Sequence, residues 1–187
     1  MKKEDMMIPA EEKISIGLLN AHIHFLTGEI NEESIRSAIE WIVYENLSTN
    51  DDKPLSLYIN STGGDLNEAF GLIDIMRNSN RVIRTFGIGS ICSAAFLIFA
   101  AGTKGHRYVA QNTSIMCHQY ATEMNGKYHD MKAFVRESEL TNTRMLTVLQ
   151  ECTGLEPRSV KTKLIPPSDV WFTAEEIVEL GVADIIF

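Results

Sequence analysis

The sequence predicts an α/β domain with parallel strand pairing, and three observations predict it. Short apolar runs alternate with amphipathic stretches between Leu55 and Cys117, the strand–helix–strand rhythm that leads to parallel pairing with right-handed crossovers. Turn-forming segments such as "STGGD" (61–65) separate those runs. From Lys127 to Thr153 no proline or glycine interrupts the chain, which predicts one long helix.

Taken in order, residues 1–13 are charged and Met-rich without periodicity and read as a flexible N-terminal arm, leaving 14–187 as a single domain. "KISIGLLNAHIHFLTG" (13–28) reads as short extended segments ending at Gly28. "NEESIRSAIEWIVYEN" places Ile35, Ala38, Ile39 and Ile42 on one helical face, with acids in the first turn where the helix dipole favours them. "LSTNDDKP" (47–54) is a polar connector, "LSLYIN" (55–60) a strand and "STGGD" a turn. "LNEAFGLIDIMRNS" is a helix and "RVIRTFGI" (81–88) a strand; "GIGSICSAAFLIFAAG" (87–102) supplies the next helix. "HRYVA" and "SIMCH" are two further short strands. A helix over about 127–153 would be ~39 Å long at 1.5 Å per residue, longer than a small sheet can cover. Its middle, Glu137 to Arg144, is polar apart from Leu140, so a protruding arm with apolar ends packing on the body and on another subunit is expected. Thr173 with Glu176 three residues on forms a capping box for the last helix, and Gly181 ends it.

The chain has 187 residues, is 44% hydrophobic and carries a net charge of −8, a balance that argues against nucleic-acid binding. The apolar run Ala94–Ala101 is far shorter than the roughly 20 residues needed to span a bilayer. No charged segment followed by an apolar one suggests a secretory signal, and the three cysteines, Cys92, Cys117 and Cys152, suit reduced thiols in a cytoplasmic protein.

Three segments each follow a strand of the same direction: "STGG" (61–64), "GSICSA" (89–94) and "HQY" (118–120). Open parallel sheets bind ligands beyond the carboxyl ends of their strands, so a serine, a histidine and two glycines can meet at one edge. Serine is a weak nucleophile until an imidazole takes its proton, and a carboxylate must fix that imidazole's tautomer. An oxyanion needs backbone N–H donors, which Gly63, Gly64 and the start of the helix after Ser93 can offer. Each residue also has a plainer reading. Ser93 is a helix-start residue with Ser90 and Ser61 as equals, His118 a satisfied core histidine, and the glycine pair a turn. His22 and His24 alternate as a metal pair would, but no third ligand is evident nearby and no metal is expected. Cys92 and Cys117, beside Ser93 and His118, suit a thiol enzyme or simple core filling. On the residues alone the reading stops at an α/β domain with hydrolase chemistry open.

The segments "LYINSTGGDLNEAFGLIDIM", "GIGSICSAAFLIFAAGTKGHRY", "NTSIMCHQY" and "FTAEEIVELGVADII" resemble the proteolytic subunit of the ATP-dependent Clp protease (the ClpP family), in register from about "HFLTGEI" (24–30) to the C-terminus. Tyr58 to Gly64 is similar to the family's Y-I-N-S-P-G-G, with Thr62 in place of proline. The resemblance implies a Clp/crotonase-type fold, a spiral of βαβ units forming a head with a protruding long handle helix. It implies a Ser-His-Asp triad of Ser93, His118 and Asp169, with an oxyanion hole at the backbone N–H groups of Gly63 and Ala94. It further implies a serine endopeptidase of protein quality control, a homo-oligomer of two stacked heptameric rings whose handles meet around a chamber. An AAA+ unfoldase of the ClpX or ClpA type would feed that chamber with unfolded polypeptide; ATP belongs to that partner, and the subunit itself needs no cofactor.

Three departures mark a divergent member. Pro167 and Ser168 stand where the family has an Asp-Arg pair, and the N-terminal region lacks the axial-loop hairpin pattern. Ser56 and Asn78 stand where the family uses aromatics to receive the unfoldase, although Tyr58 and Tyr108 remain as docking candidates. Two rival readings are a noncatalytic or regulatory subunit of a mixed ring and a Ser-Lys enzyme of the signal-peptide-peptidase type with Lys104 as base.

Overall fold

A computed structural model of the chain describes residues 9–47 and 52–187. Most of the expected N-terminal arm and the middle of the 47–54 connector lie outside those residues. The described chain opens with a helix, α1 (Ala10–Asn20), where extended segments are expected. Ile14 and Ile16 alternate as strand residues do, but Glu11 and Glu12 in the first turn favour the helix, and no strand among the described residues pairs with the segment. None of its residues is buried.

Strand β1 (Ile23–Ile30), helix α2 (Glu32–Leu47), strand β2 (Leu55–Gly64), helix α3 (Leu66–Arg77) and strand β3 (Ile83–Cys92) follow in the expected alternation. Asp65 starts α3 by accepting N–H bonds from Asn67 at 2.7 Å and Glu68 at 3.1 Å. Next come α4 (Ala94–Ala100), β4 (Arg107–Val109), β5 (Ser114–Cys117) and α5 (Tyr128–Thr153), then a short α6 (Pro157–Ser159) running into a π-turn over Val160–Leu164. Strand β6 (Val170–Phe172), helix α7 (Ala174–Glu179) and strand β7 (Ile185–Ile186) complete the chain, and the Thr173–Glu176 capping box at α7 is formed in both directions.

The sheet runs β1-β2-β3-β4-β7, every neighbour parallel. The lower part of β3 pairs with β4 through Thr85–Gly87, whereas its upper part pairs with β5 through Ser90–Cys92. Between Ile59 and Ser61 of β2 the partner strand advances from Gly87 to Ile91, a bulge that turns the upper half of β3 towards β5. Strand β6, not legible in the sequence, joins β5 antiparallel. The core lies on one face of the sheet: Leu55, Leu57 and Ile59 of β2 pack under the wholly buried α4, and Leu72 and Ile73 of α3 join the same cluster. Each such side chain contributes roughly 1.5–3 kcal/mol by leaving water.

The 26-residue α5 packs unevenly. Met145, Val148 and Leu149 near its end are buried in the core, whereas Tyr128, Met131 and Val135 near its start are exposed. Of the two apolar ends expected to pack, only the second meets the body of the protein.

Candidate active site

Register brings the three segments together. β2 pairs Ser61 with Ile91, so two residues further on Gly63 lies beside Ser93. β3 pairs Cys92 with Met116, and Ser93 N–H donates to Met116 O at 3.0 Å, setting the start of α4 against the end of β5. The antiparallel β5–β6 pair sets Cys117 opposite Val170, which puts His118 and Asp169 at the next rung. Gln119 Nε2 donates to Ile165 O at 3.2 Å and ties this end of β5 to the segment leading to Asp169.

The resulting geometry is close between two residues and open at the third. His118 Nε2 and Ser93 Oγ share a hydrogen bond of 2.8 Å. His118 Nδ1 lies 3.7 Å from Asp169 Oδ1, beyond hydrogen-bond length, and the Asp169 side chain is 60% exposed. Ser93 has φ 55° and ψ −123°, a backbone conformation that a residue with a Cβ rarely adopts. Gly63 explains why the serine is tightly held. With φ at +105°, a Cβ there would stand 2.7 Å from Ser93 Cβ and 2.9 Å from Cys92 O.

The "STGGD" segment is therefore not the expected turn. β2 continues through Gly64, paired with Ile30 of β1, because glycines tolerate these dihedrals; a Cβ on Gly64 would clash with Ile30 O. Gly63 N–H donates to the buried Ser61 Oγ at 3.1 Å. Ala94, first residue of α4, has no intrahelical acceptor for its N–H.

Beside Ser93 opens a cavity of about 320 Å³ that also touches His118, Leu66, Asn67 and, on α5, Phe134 and Thr141. The polar middle of α5 thus faces this recess. Glu137 borders it, bonded to Arg144 and Thr141; the Arg144 hydrogen bond holds its carboxyl below the usual range.

Other candidates separate from this centre. Thr103 N–H donates to Ile83 O at the start of β3, so neighbouring Lys104 sits at the opposite end of that strand from Ser93, on the order of 30 Å away at 3.3 Å per residue. The Ser-Lys reading fails on that distance. Burial pushes the Cys92 thiol up and the Cys117 thiol up to about 12, so neither carries the thiolate a thiol enzyme needs. His22 Nδ1 bonds Glu45 Oε2 at 2.8 Å, and His24 stacks on Trp41 at 5.2 Å with burial lowering its pKa. Among the described residues no cluster of three or more His, Cys, Asp or Glu is placed to hold a metal ion.

Tyr58 and Tyr108 lie on the face of the sheet away from the core, and they are not alone. In-register pairing stacks Phe25 on Tyr58 at 5.1 Å, Tyr58 on Phe86 at 4.4 Å and Phe86 on Tyr108 at 4.7 Å, with Phe187 edge-on to Phe86. The in–out alternation of strand residues marks Phe25 on β1 and Phe86 on β3 as outward positions, whereas nothing local marks Phe187, which follows β7. Asn78 lies off this ladder, closing α3 through its side-chain bond to Asp74 O.

A model of the Clp protease family matches residues 9–187, nearly the whole chain. The chain belongs to the Clp protease family. It is also 32% identical, over 89% of its length and 84% of the other protein, to the ATP-dependent Clp protease proteolytic subunit 4 of Rhodococcus jostii (strain RHA1). Membership makes the chain a ClpP-type peptidase, and the mostly parallel α/β architecture agrees with the Clp fold. No helix among the described residues is long and apolar enough to cross a membrane.

Proposed function

We propose that the chain is the serine endopeptidase subunit of a compartmentalised ATP-dependent protease, cleaving unfolded polypeptide by Ser93, His118 and Asp169. The observation that carries this reading is the 2.8 Å contact of His118 Nε2 with Ser93 Oγ on a strained, glycine-backed backbone. Ser93 Oγ attacks the peptide carbonyl carbon and passes its proton to His118 Nε2. The tetrahedral oxyanion takes hydrogen bonds from the N–H groups of Ala94 and Gly63, the latter turning from Ser61 Oγ. His118 then protonates the leaving amine, and the C–N bond breaks to give an acyl-Ser93 ester. Water attacks that ester as His118 takes its proton and returns it to Ser93. Asp169 orients the imidazole, its 3.7 Å separation closing as the imidazolium forms, since catalytic hydrogen bonds tighten on the reaction path.

In this reading the subunits form stacked heptameric rings that meet through α5. A ClpX- or ClpA-type unfoldase docks on the aromatic ladder at Tyr58 and Tyr108 and spends the ATP, and the assembly works in the cytoplasm. The exposed, unbonded Asp169 next to Pro167 and Ser168 favours a second reading, a noncatalytic subunit of a mixed ring. A fluorophosphonate probe with mapping of the labelled peptide separates the two. Labelling at Ser93, absent in Ser93→Ala, is the expected result; a ring-sized particle that stays unlabelled speaks for the noncatalytic subunit.

A further inference from the structure

A larger cavity of about 770 Å³, reaching to Gln119, Lys161 and Ile165, adjoins the recess beside Ser93, and the residues that line both stand between them as a partition. The two cavities share five lining residues: Tyr120, Ala121, Thr122, Phe134 and Ser138. Phe134 and Ser138 belong to the rigid α5, whereas residues 120–122 have no regular secondary structure. Ala121 and Thr122 are exposed and small, so most of the bulk on the loop side of the partition is the half-buried Tyr120 ring. That ring is fastened: Tyr120 Oη donates to Ser138 O on α5 at 2.9 Å. Tyr120 also follows His118 by two residues, so the bond of His118 to Ser93 sets where the loop starts.

We propose that Tyr120 is a specificity-determining residue of this site, its ring forming the wall that limits the size of the substrate side chain accepted beside the scissile bond. The inference rests on the peptidase reading of Ser93. A pocket selects among apolar side chains through the volume it offers before contact turns to clash, and a wall made by one side chain makes that volume adjustable. With the ring in place, the side chain of the residue whose carbonyl is attacked must fit within the near cavity. Without it, the two cavities merge, and a longer side chain can extend past the partition.

The test compares peptide anilides that differ only in that residue, running alanine, leucine, phenylalanine and 4-phenylphenylalanine, with the full-length protein in its native assembly. The readout is the ratio of kcat/KM for 4-phenylphenylalanine over phenylalanine, in which losses from folding or assembly cancel. Tyr120→Ala is expected to raise this ratio about tenfold or more. Tyr120→Phe, which keeps the ring and loses only the bond to Ser138, is expected to leave it within about twofold of the wild type. An unchanged ratio in Tyr120→Ala would overturn the proposal, as when a neighbouring subunit fills the outer cavity. An equal rise in both variants would overturn it too, since the ring would then not be the wall. If the wild type neither cleaves any member of the series nor takes the fluorophosphonate label, the peptidase reading itself falls. That result is distinct because it needs no variant to appear.

Discussion

Replacing Ser93 by glycine should produce a protein more stable than the same chain carrying alanine there. Both variants lose Oγ and its hydrogen bond to His118, so their difference isolates the backbone. At φ 55° and ψ −123° a Cβ costs on the order of 1–3 kcal/mol, a cost that alanine keeps and glycine removes. Against this, glycine's freer unfolded chain costs about 0.4–1 kcal/mol. The balance favours glycine by roughly 1 kcal/mol. At an ordinary strand or helix position the order is reversed, with glycine worse than alanine by about 0.5–1 kcal/mol. The assay is denaturant and thermal unfolding of the two variants at one protomer concentration, because assembly makes apparent stability concentration-dependent. Melting should differ by about 2–4 °C for a chain of this size if the difference is 1 kcal/mol. Should alanine equal or exceed glycine, Ser93 is not strained, and the argument that the fold holds a reactive residue against its backbone preference is refuted.

Gly63→Ala should abolish fluorophosphonate labelling, because its Cβ would stand 2.7 Å from Ser93 Cβ and 3.2 Å from Ala94 N; near-normal labelling would show that the segment relaxes freely. Asp184 gives a stability prediction. Its carboxylate takes hydrogen bonds from Arg107 Nε at 2.8 Å and Nη2 at 2.6 Å and from the N–H groups of Gly105 and Arg107, while the Arg107 side chain is 2% exposed. Asp184→Asn should therefore cost about 3–5 kcal/mol in unfolding experiments by leaving a buried guanidinium uncompensated. Burial pushes the Asp184 carboxyl up, but the Arg107 hydrogen bonds and charge outweigh it, so the folded pKa lies below the usual carboxylate value. The stabilisation is then complete above about pH 4 and lost as pH falls through the folded pKa. The gap between wild type and Asp184→Asn should narrow over that acid range and nowhere else. Tyr58→Ala should leave hydrolysis of short peptides within about twofold while lowering unfoldase-driven degradation about tenfold or more, since hot-spot aromatics dominate docking. Equal loss of both activities would place the ladder in the fold rather than in the docking surface.

Much of the architecture was legible because its causes are local. The capping box at Thr173, the apolar face of α2 and the uninterrupted stretch that becomes α5 are interactions among residues within a turn or two of one another. Two of the differences share one origin, a partner distant in the chain. "STGGD" looks like a turn until β1 is seen to pair with Gly63 and Gly64, and β3 runs on to Cys92 because β5 is there to meet it. α1, read as extended along with the segment up to Gly28, differs for a local reason, the acids Glu11 and Glu12 in its first turn.

At the site the division is sharper. The chain by itself determined that a serine, a histidine and two glycines lie in segments that each follow a strand of one direction, since apolar runs and breakers are written locally. It could not determine the 2.8 Å between Ser93 and His118, the 3.7 Å left to Asp169, or the wall at Tyr120. Those distances come from the bulge in β2–β3 and from the switch of β3 between two neighbours. A shift of one residue in a parallel register moves a strand end by about 3.3 Å and turns its side chain to the other face, so whether these groups meet is a property of the assembled sheet.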